Sequence, residues 1–422
     1  MKQQVTGTVE KIVAGGFGII RTDQGVVFAQ GVLPGESVEF SIESGSGGTK
    51  WARNILIQTP SPQREEGPRC DYFGVCGGCD LMHIQSRHQI GIKTAILRDS
   101  LLRVGKWPKE DLPEIQTWSG SAFRYRTRVQ FHLVNGALGF RERGGKTVLP
   151  IKACEVASQE IQDRLEYHRQ TGNGVIEFSE NNPESEFLLQ IVDSQAGGGC
   201  LEGLLHQNQP GKRSEESGAA ALRTRGILAP RTGSVDILGR GLDADAAGFF
   251  QSNHQGLEAM LRVIQELLAD REGISSALEL YCGIGVIGTM LPESITDMLG
   301  VEIDTETVAM ARGNLEPRGR VVRKSVKNFC LSPEGREALN RRDLLVADPS
   351  RRGLDKSLMN TLAEIQSPPP YALLVFCDPV SAARDIAGMR KLGYRIEHLQ
   401  LFDFYPQTSH FETLAFLSRR QE

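Results

Sequence analysis

The chain opens on short runs in which apolar and polar residues alternate and closes on runs that are almost wholly apolar. Residues 5–9, 18–21, 26–29, 37–42 and 51–57 show the first pattern, with turns at Gly15-Gly16, Asp23-Gln24-Gly25 and Leu33-Pro34-Gly35-Glu36 between them. Alternation with period 2 predicts strands buried on one face, and the turn glycines supply the positive φ that tight connections need. Five such strands ahead of a Pro60-Ser61-Pro62 linker predict a small OB-type β-barrel over residues 1–59. The second pattern occurs in Ala277-Leu278-Glu279-Leu280, Leu299-Gly300-Val301, Leu344-Leu345-Val346-Ala347 and Leu373-Leu374-Val375-Phe376. Such runs are parallel strands covered on both faces, and helical stretches near 255–269 and 382–392 predict an α/β domain over residues 249–422.

The middle, residues 60–248, reads as α+β, with a helix from Asp80 to Gly105 and sheet from Ser121 onward. Residues 196–233, rich in Gly, Ser and charge, read as a poorly packed insertion or long loops. In Phe123-Arg124-Tyr125-Arg126-Thr127-Arg128-Val129, period 2 places Arg124, Arg126 and Arg128 on one strand face. That face suits RNA phosphates; the competing reading is a solvated face neutralised by the acidic segment Glu177 to Glu186.

Length and composition narrow the class without naming the chemistry. With 422 residues and 40% hydrophobic content, roughly two to four ordered domains are expected. No apolar leader follows Met1, and no window approaches the ~18 to 20 apolar residues that cross a bilayer, so a cytoplasmic protein without a membrane partner is expected. A net charge of -4 leaves the partner open.

Three of the eight cysteines fall within ten residues, Cys70, Cys76 and Cys79, and Cys154 is the best candidate for a fourth ligand. Four thiolates fit tetrahedral zinc or a cubane iron–sulfur cluster. Further on, Tyr281-Cys282-Gly283-Ile284-Gly285 makes a glycine turn after one strand, and Glu302 ends the next, suited to ribose hydroxyls. With Asp348-Pro349 at a third strand end, this reads as a methyltransferase-type Rossmann domain, with nicotinamide binding as the alternative. Cys377 ends a fourth strand ahead of Asp378-Pro379 and a helix start, where a helix N-terminus would favour its thiolate.

Taken together, these motifs resemble the S-adenosylmethionine-dependent RNA 5-methyluridine methyltransferases over nearly the full length. The chain looks most like the bacterial 23S rRNA enzymes that carry a TRAM domain and a 4Fe-4S cluster. The resemblance rests on the four clustered cysteines, Phe249-Phe250-Gln251-Ser252-Asn253, the glycine turn, Glu302, Asp348-Pro349, Cys377-Asp378-Pro379, and Phe404-Tyr405-Pro406-Gln407 leading to Glu412. It implies a TRAM barrel, a central iron–sulfur and RNA-binding domain and a methyltransferase domain. Cys377 would be the nucleophile and Glu412 the base. Gln251, Tyr281, Gly283, Gly285, Glu302 and Asp348 would bind the cofactor, and Cys70, Cys76, Cys79 and Cys154 would hold the cluster. Ser350 and Glu279 depart from the family's usual Pro and Asp, and Arg323 to Asn328 leaves adenine recognition unassigned. A monomer acting on RNA is expected, and rival readings are a tRNA enzyme of the same chemistry, a silent RNA-binding homologue and a redox protein.

Overall fold

The computed structural model describes residues 4–171, 174–181, 185–195, 199–207, 217–269 and 271–419. Strands β1 (Gln4–Val13), β2 (Phe17–Thr22), β3 (Gly25–Ala29), β4 (Ser37–Ser44) and β5 (Lys50–Thr59) close a barrel in the order β1-β2-β3-β5-β4. Their inward residues, Val9, Ile20, Val27, Val38 and Phe40 among them, form a separate core. The expected OB-like barrel is thus present. It is tied to the chain beyond it by Arg64, whose guanidinium bonds the fully buried Glu36 carboxylate at 2.7 Å.

Helix α1 (Ser86–Arg103) follows, then β6 (Gln116–Ser119). A five-stranded antiparallel sheet comes next, ordered β11-β10-β7-β8-β9, from β7 (Arg128–Val134), β8 (Ala137–Arg141), β9 (Val148–Pro150), β10 (Glu186–Asp193) and β11 (Cys200–His206). Helices α2 (Gln159–Gln170), α3 (Val175–Glu180) and α4 (Ser217–Thr224) belong to the same part of the chain. Here the loop expectation for 196–233 fails, because β11 and α4 occupy much of it. Buried Leu201, Leu204, Ala219 and Leu222 supply the apolar faces that a Gly/Ser-rich composition masked. Residues 196–198 and 208–216 lie outside the described residues.

A hairpin, β12 (Thr232–Ile237) and β13 (Arg240–Asp245), leads to α5 (His254–Ala269) and the last sheet. Its strands are β14 (Ser276–Leu280), β15 (Asp297–Glu302), β16 (Gly319–Arg323), β17 (Leu344–Ala347), β18 (Tyr371–Phe376), β19 (Tyr394–Asp403) and β20 (Glu412–Arg419). Between them run α6 (Val286–Met290), α7 (Thr305–Leu315), α8 (Val326–Cys330), α9 (Pro333–Arg341), α10 (Lys356–Glu364) and α11 (Pro379–Lys391). The order is β16-β15-β14-β17-β18-β20-β19-β6, and β6 reaches in from the central region to pair with β19. The strand order reverses between β14 and β17, and open α/β sheets bind ligands in the crevice at that point. Every residue of β17 is buried, and so is β18 after Tyr371, as strands with helices on both faces require. Among the described residues no helix is long and apolar enough to cross a membrane.

Candidate active site

Strand register sets two reactive side chains beside each other. β18 pairs antiparallel with β20 as Val375↔Leu414 and Phe376↔Thr413. The next position on each strand end is Cys377 and Glu412, and opposed residues in such a pair project to the same face. β17 lies parallel to β18 with Ala347 beside Leu374, so Asp348 arrives at the same edge. Arg351, a turn beyond, brings a positive charge that acts on both Cys377 and Glu412.

Burial, then the charges of Glu412 and Asp348, push the Cys377 thiol up to about 12, against a smaller opposing pull from Arg351. At neutral pH the substrate-free site therefore holds a thiol. The helix N-terminus beside it is expected to favour the thiolate. Helix α11 does start there, with Asp378 accepting the Ser381 amide at 2.7 Å, but desolvation and two carboxylates outweigh a helix end. Glu412 is 1% exposed, and its Oε2 has no hydrogen-bond partner. Burial and the Asp348 charge hold its carboxyl well above the usual range. Leaving a buried oxygen unpaired costs about 1 to 3 kcal/mol, and this one is available to a ligand at the strand edge. Burial pushes Asp348 up to about 7.

Beside this group stands the glycine turn. Tyr281, Gly283 and Gly285 all take positive φ, at 60°, 55° and 82°, which folds the chain sharply from β14 into α6. At Gly288 a Cβ would lie 2.4 Å from Glu279 Oε2, so only glycine lets that carboxyl tuck beneath the turn and accept the Gly288 amide at 3.1 Å. Burial pushes Glu279 up to about 8, and the Asp348 and Glu302 charges add to the effect. Glu302 accepts three amides, from Gly283 at 3.2 Å, Ile303 at 2.7 Å and Asp304 at 3.0 Å. The Tyr281 hydroxyl accepts the Asp355 amide at 3.1 Å. Gln251 lies apart from these, accepting from the Tyr405 hydroxyl at 3.2 Å. Thus Asp348, Glu279 and Glu302 form one acidic neighbourhood joining the glycine turn to Cys377, and Gln251, ahead of α5, sits against Tyr405 of the loop before Glu412.

The four spaced cysteines are all free and half-buried, and they converge from two segments. The Tyr72 hydroxyl accepts the Lys152 amide at 2.9 Å, and Arg69, next to Cys70, pairs at 2.7 Å with Glu155, next to Cys154. Burial raises each thiol; the charge of Cys154 adds at Cys70 and Cys79, that of Cys70 at Cys76, and that of Cys76 at Cys154. Yet among the described residues no three Cys, His, Asp or Glu side chains stand where they could share one metal ion. The thiols are neighbours without forming a single-ion cage.

The arginine stripe keeps its alternation, with Tyr125, Thr127 and Val129 buried and Arg124, Arg126 and Arg128 facing away from them. The regular strand, however, begins only at Arg128, because Arg124 takes a positive φ of 58° and the backbone of residues 124–126 bonds Glu155 and Val156 instead. Arg128 is half-buried and donates to Gln190 at 2.9 Å and the Gly248 carbonyl at 2.8 Å. Arg126 is half-buried near Cys76, Cys79 and Cys154. Only Arg124 of the three is exposed. Glu186, from the acidic segment, bonds His132 and Arg141.

Sequence reasoning passed over Arg351, visible in the run Asp348-Pro349-Ser350-Arg351, and also Asp80 and Lys93. Lys93 is fully buried and shares the inward face of α1 with Gln89, Ile96, Leu97 and Ser100. That spacing of three and four was the available signal, and a polar residue on it hid the helix's amphipathic face.

Residues 242–420 match the tRNA (uracil-5-)-methyltransferase family. The chain is 28% identical to an uncharacterized RNA methyltransferase of Aquifex aeolicus, over 97% of each chain. It is 29% identical to the 23S rRNA (uracil(1939)-C(5))-methyltransferase RlmD of Thiobacillus denitrificans, over 96% of this chain and 97% of that one. Among solved structures, the tRNA (uracil-54, C5)-methyltransferase of Pyrococcus abyssi, in complex with S-adenosyl-L-homocysteine, matches with a TM-score of 0.70 at 19% identity. That match covers 98% of this chain and all of that one, and shows the methyltransferase α/β fold.

Proposed function

With the chain a member of the RNA 5-methyluridine methyltransferase family, we propose that it methylates C5 of a specific uridine in 23S rRNA, with Cys377 as nucleophile and Glu412 as base. The observation that carries this reading is the opposition of Cys377 and Glu412 across the β18–β20 ends, with one Glu412 oxygen buried and unpartnered. The rRNA target is favoured by full-length relatives of that activity at 27–29% identity. The second reading, a tRNA target, is favoured by the Pyrococcus abyssi structure.

When bound, S-adenosylmethionine supplies an electrophilic methyl group. Glu302 offers its one remaining acceptor site to a ribose hydroxyl, since a carboxylate has about four such sites and three amides are already bound. Uracil C5 is too weak a nucleophile to accept a methyl group unaided. An extruded base meets Cys377, whose sulfur bonds C6 while its proton passes to Asp348, a base matched to neutral pH. The electron pair of the former C5=C6 bond then takes the methyl group at C5, and S-adenosylhomocysteine leaves. Glu412 removes the C5 proton, the C5=C6 double bond re-forms, and the Cys377 sulfur departs and recovers its proton from Asp348.

The barrel is read as a TRAM domain, and Cys70, Cys76, Cys79 and Cys154 as the ligands of a 4Fe-4S cluster. A cubane interposes an iron–sulfide cage between its cysteines. It therefore suits thiols that are neighbours but do not meet at one point better than zinc does, whose bonds of about 2.3 Å demand a tight shell.

The mechanism is tested on a denaturing gel with labelled rRNA and cofactor. Cys377→Ala is expected to yield neither methylated RNA nor a covalent complex, whereas Glu412→Gln transfers the methyl group and stays bound through Cys377. Normal turnover by Cys377→Ala would overturn the proposal.

A further inference from the structure

The eight residues between β19 and Glu412 have almost no regular structure, yet they must hold a catalytic carboxyl in register with Cys377. Lys93 is what closes this loop. Its ammonium, fully buried in α1, donates to Asp403 Oδ1 at 2.5 Å and to the carbonyls of Tyr405 and His410, each at 3.0 Å. An ammonium has three donors, and all three are spent on the end of β19 and the loop that follows it. They bring residues seven apart, Asp403 and His410, onto a single atom two positions before Glu412.

Asp80 holds the same loop from the other side. Its carboxylate accepts the Ser409 amide at 2.7 Å and the Ser409 hydroxyl at 2.8 Å, while the amides of Asp80 and Leu81 both donate to the Gln407 carbonyl. Between these anchors, Gln89 exchanges two hydrogen bonds with Gln407, at 2.9 and 2.8 Å. The Glu412 carboxyl has no comparable support of its own, because one oxygen is unpartnered.

We infer that Lys93 and Asp80 are positioning residues for Glu412, fixing through the 403–410 loop the base that ends the reaction. The inference rests on the proposed role of Glu412 and adds the residues that aim it. Loosening the loop should misplace the carboxyl without disturbing Cys377, which is fixed by β18 and α11. The step to suffer is therefore C5 proton removal, and methyl transfer is spared.

The test compares Asp80→Ala, the charge-neutral double variant Lys93→Met/Asp403→Asn, the conservative Lys93→Arg, and Glu412→Gln. For each, single-turnover methyl transfer to rRNA and the amount of covalent protein–RNA complex are measured on folded protein. Displacements of about 1 Å cost on the order of a hundredfold, so adduct breakdown should slow by about tenfold to a hundredfold in Asp80→Ala and the double variant. Methyl transfer should change little, and Lys93→Arg should recover part of the breakdown rate. Equal losses in both steps, or wild-type breakdown in Asp80→Ala even if the double variant does not fold, would overturn the inference. Absence of adduct in Glu412→Gln itself would instead remove the underlying assignment of the base.

Discussion

The carboxylate of Asp348, just beyond β17, is the main charge acting on Glu412, at the start of β20, and it raises a carboxyl that burial has already raised. A base held well above the usual carboxylate range is protonated at low pH, so adduct breakdown should rise with pH on an acid limb that lies above the ordinary carboxylate range. In the substrate-free site, before Asp348 takes the Cys377 proton, replacing Asp348 by Asn removes the repelling charge and favours ionisation of Glu412, moving its titration to lower pH. Infrared difference spectroscopy of the carboxyl band in substrate-free Asp348→Asn checks this, and an unmoved titration would assign the raised pKa to burial alone.

Reactivity of Cys377 should follow the same charges with opposite signs at two positions. Removing the Glu412 charge lowers the thiol's pKa and should speed its alkylation by iodoacetamide at pH 8, whereas Arg351→Gln should slow it. Peptide mass mapping isolates Cys377 from the other seven cysteines.

Glu279 gives a stability prediction. Its folded pKa of about 8 lies above the ordinary 4.5, so the native state holds a proton that the unfolded chain releases. The stability that Glu279 contributes is thus fully present below about pH 4.5 and falls by up to about 1.4 kcal/mol per unit until the folded pKa is passed. Glu279→Gln keeps an acceptor for Gly288 and removes the titration, so its melting temperature should exceed that of wild type by several degrees at pH 8.5 and by much less at pH 5.5. Equal differences at the two pH values would refute the assignment.

Anaerobically purified protein should be brown, with about four irons per chain, and lose its visible absorbance when Cys70, Cys76, Cys79 or Cys154 is replaced by Ser. Stoichiometric zinc would decide for the single-ion alternative.

The arginine stripe should divide. Arg124→Glu is expected to weaken RNA binding and flatten its salt dependence by a slope of about 1 in log Kd against log salt, without loss of stability. Arg128→Glu should mainly destabilise, because it breaks bonds to Gln190 and Gly248 in a half-buried place. Thermal melts and filter binding separate the two effects.

Read alone, the sequence determined what short-range chemistry dictates. Alternation and turn glycines marked the barrel; apolar runs marked the buried strands of the last sheet; and residues at the ends of those runs, Cys377, Asp348 and Glu302, were legible because a strand end fixes where its next side chain goes. Only the tertiary structure decided what depends on contacts between distant residues. That β18 and β20 pair in a register opposing Cys377 to Glu412, that β6 joins the last sheet from the central region, and that Lys93 reaches 310 positions along the chain to Asp403 leave no trace in local pattern. Charge states belong to the same class: Cys377 carries its raised pKa because burial and two remote carboxylates overcome the helix start beside it, and burial is a property of the fold.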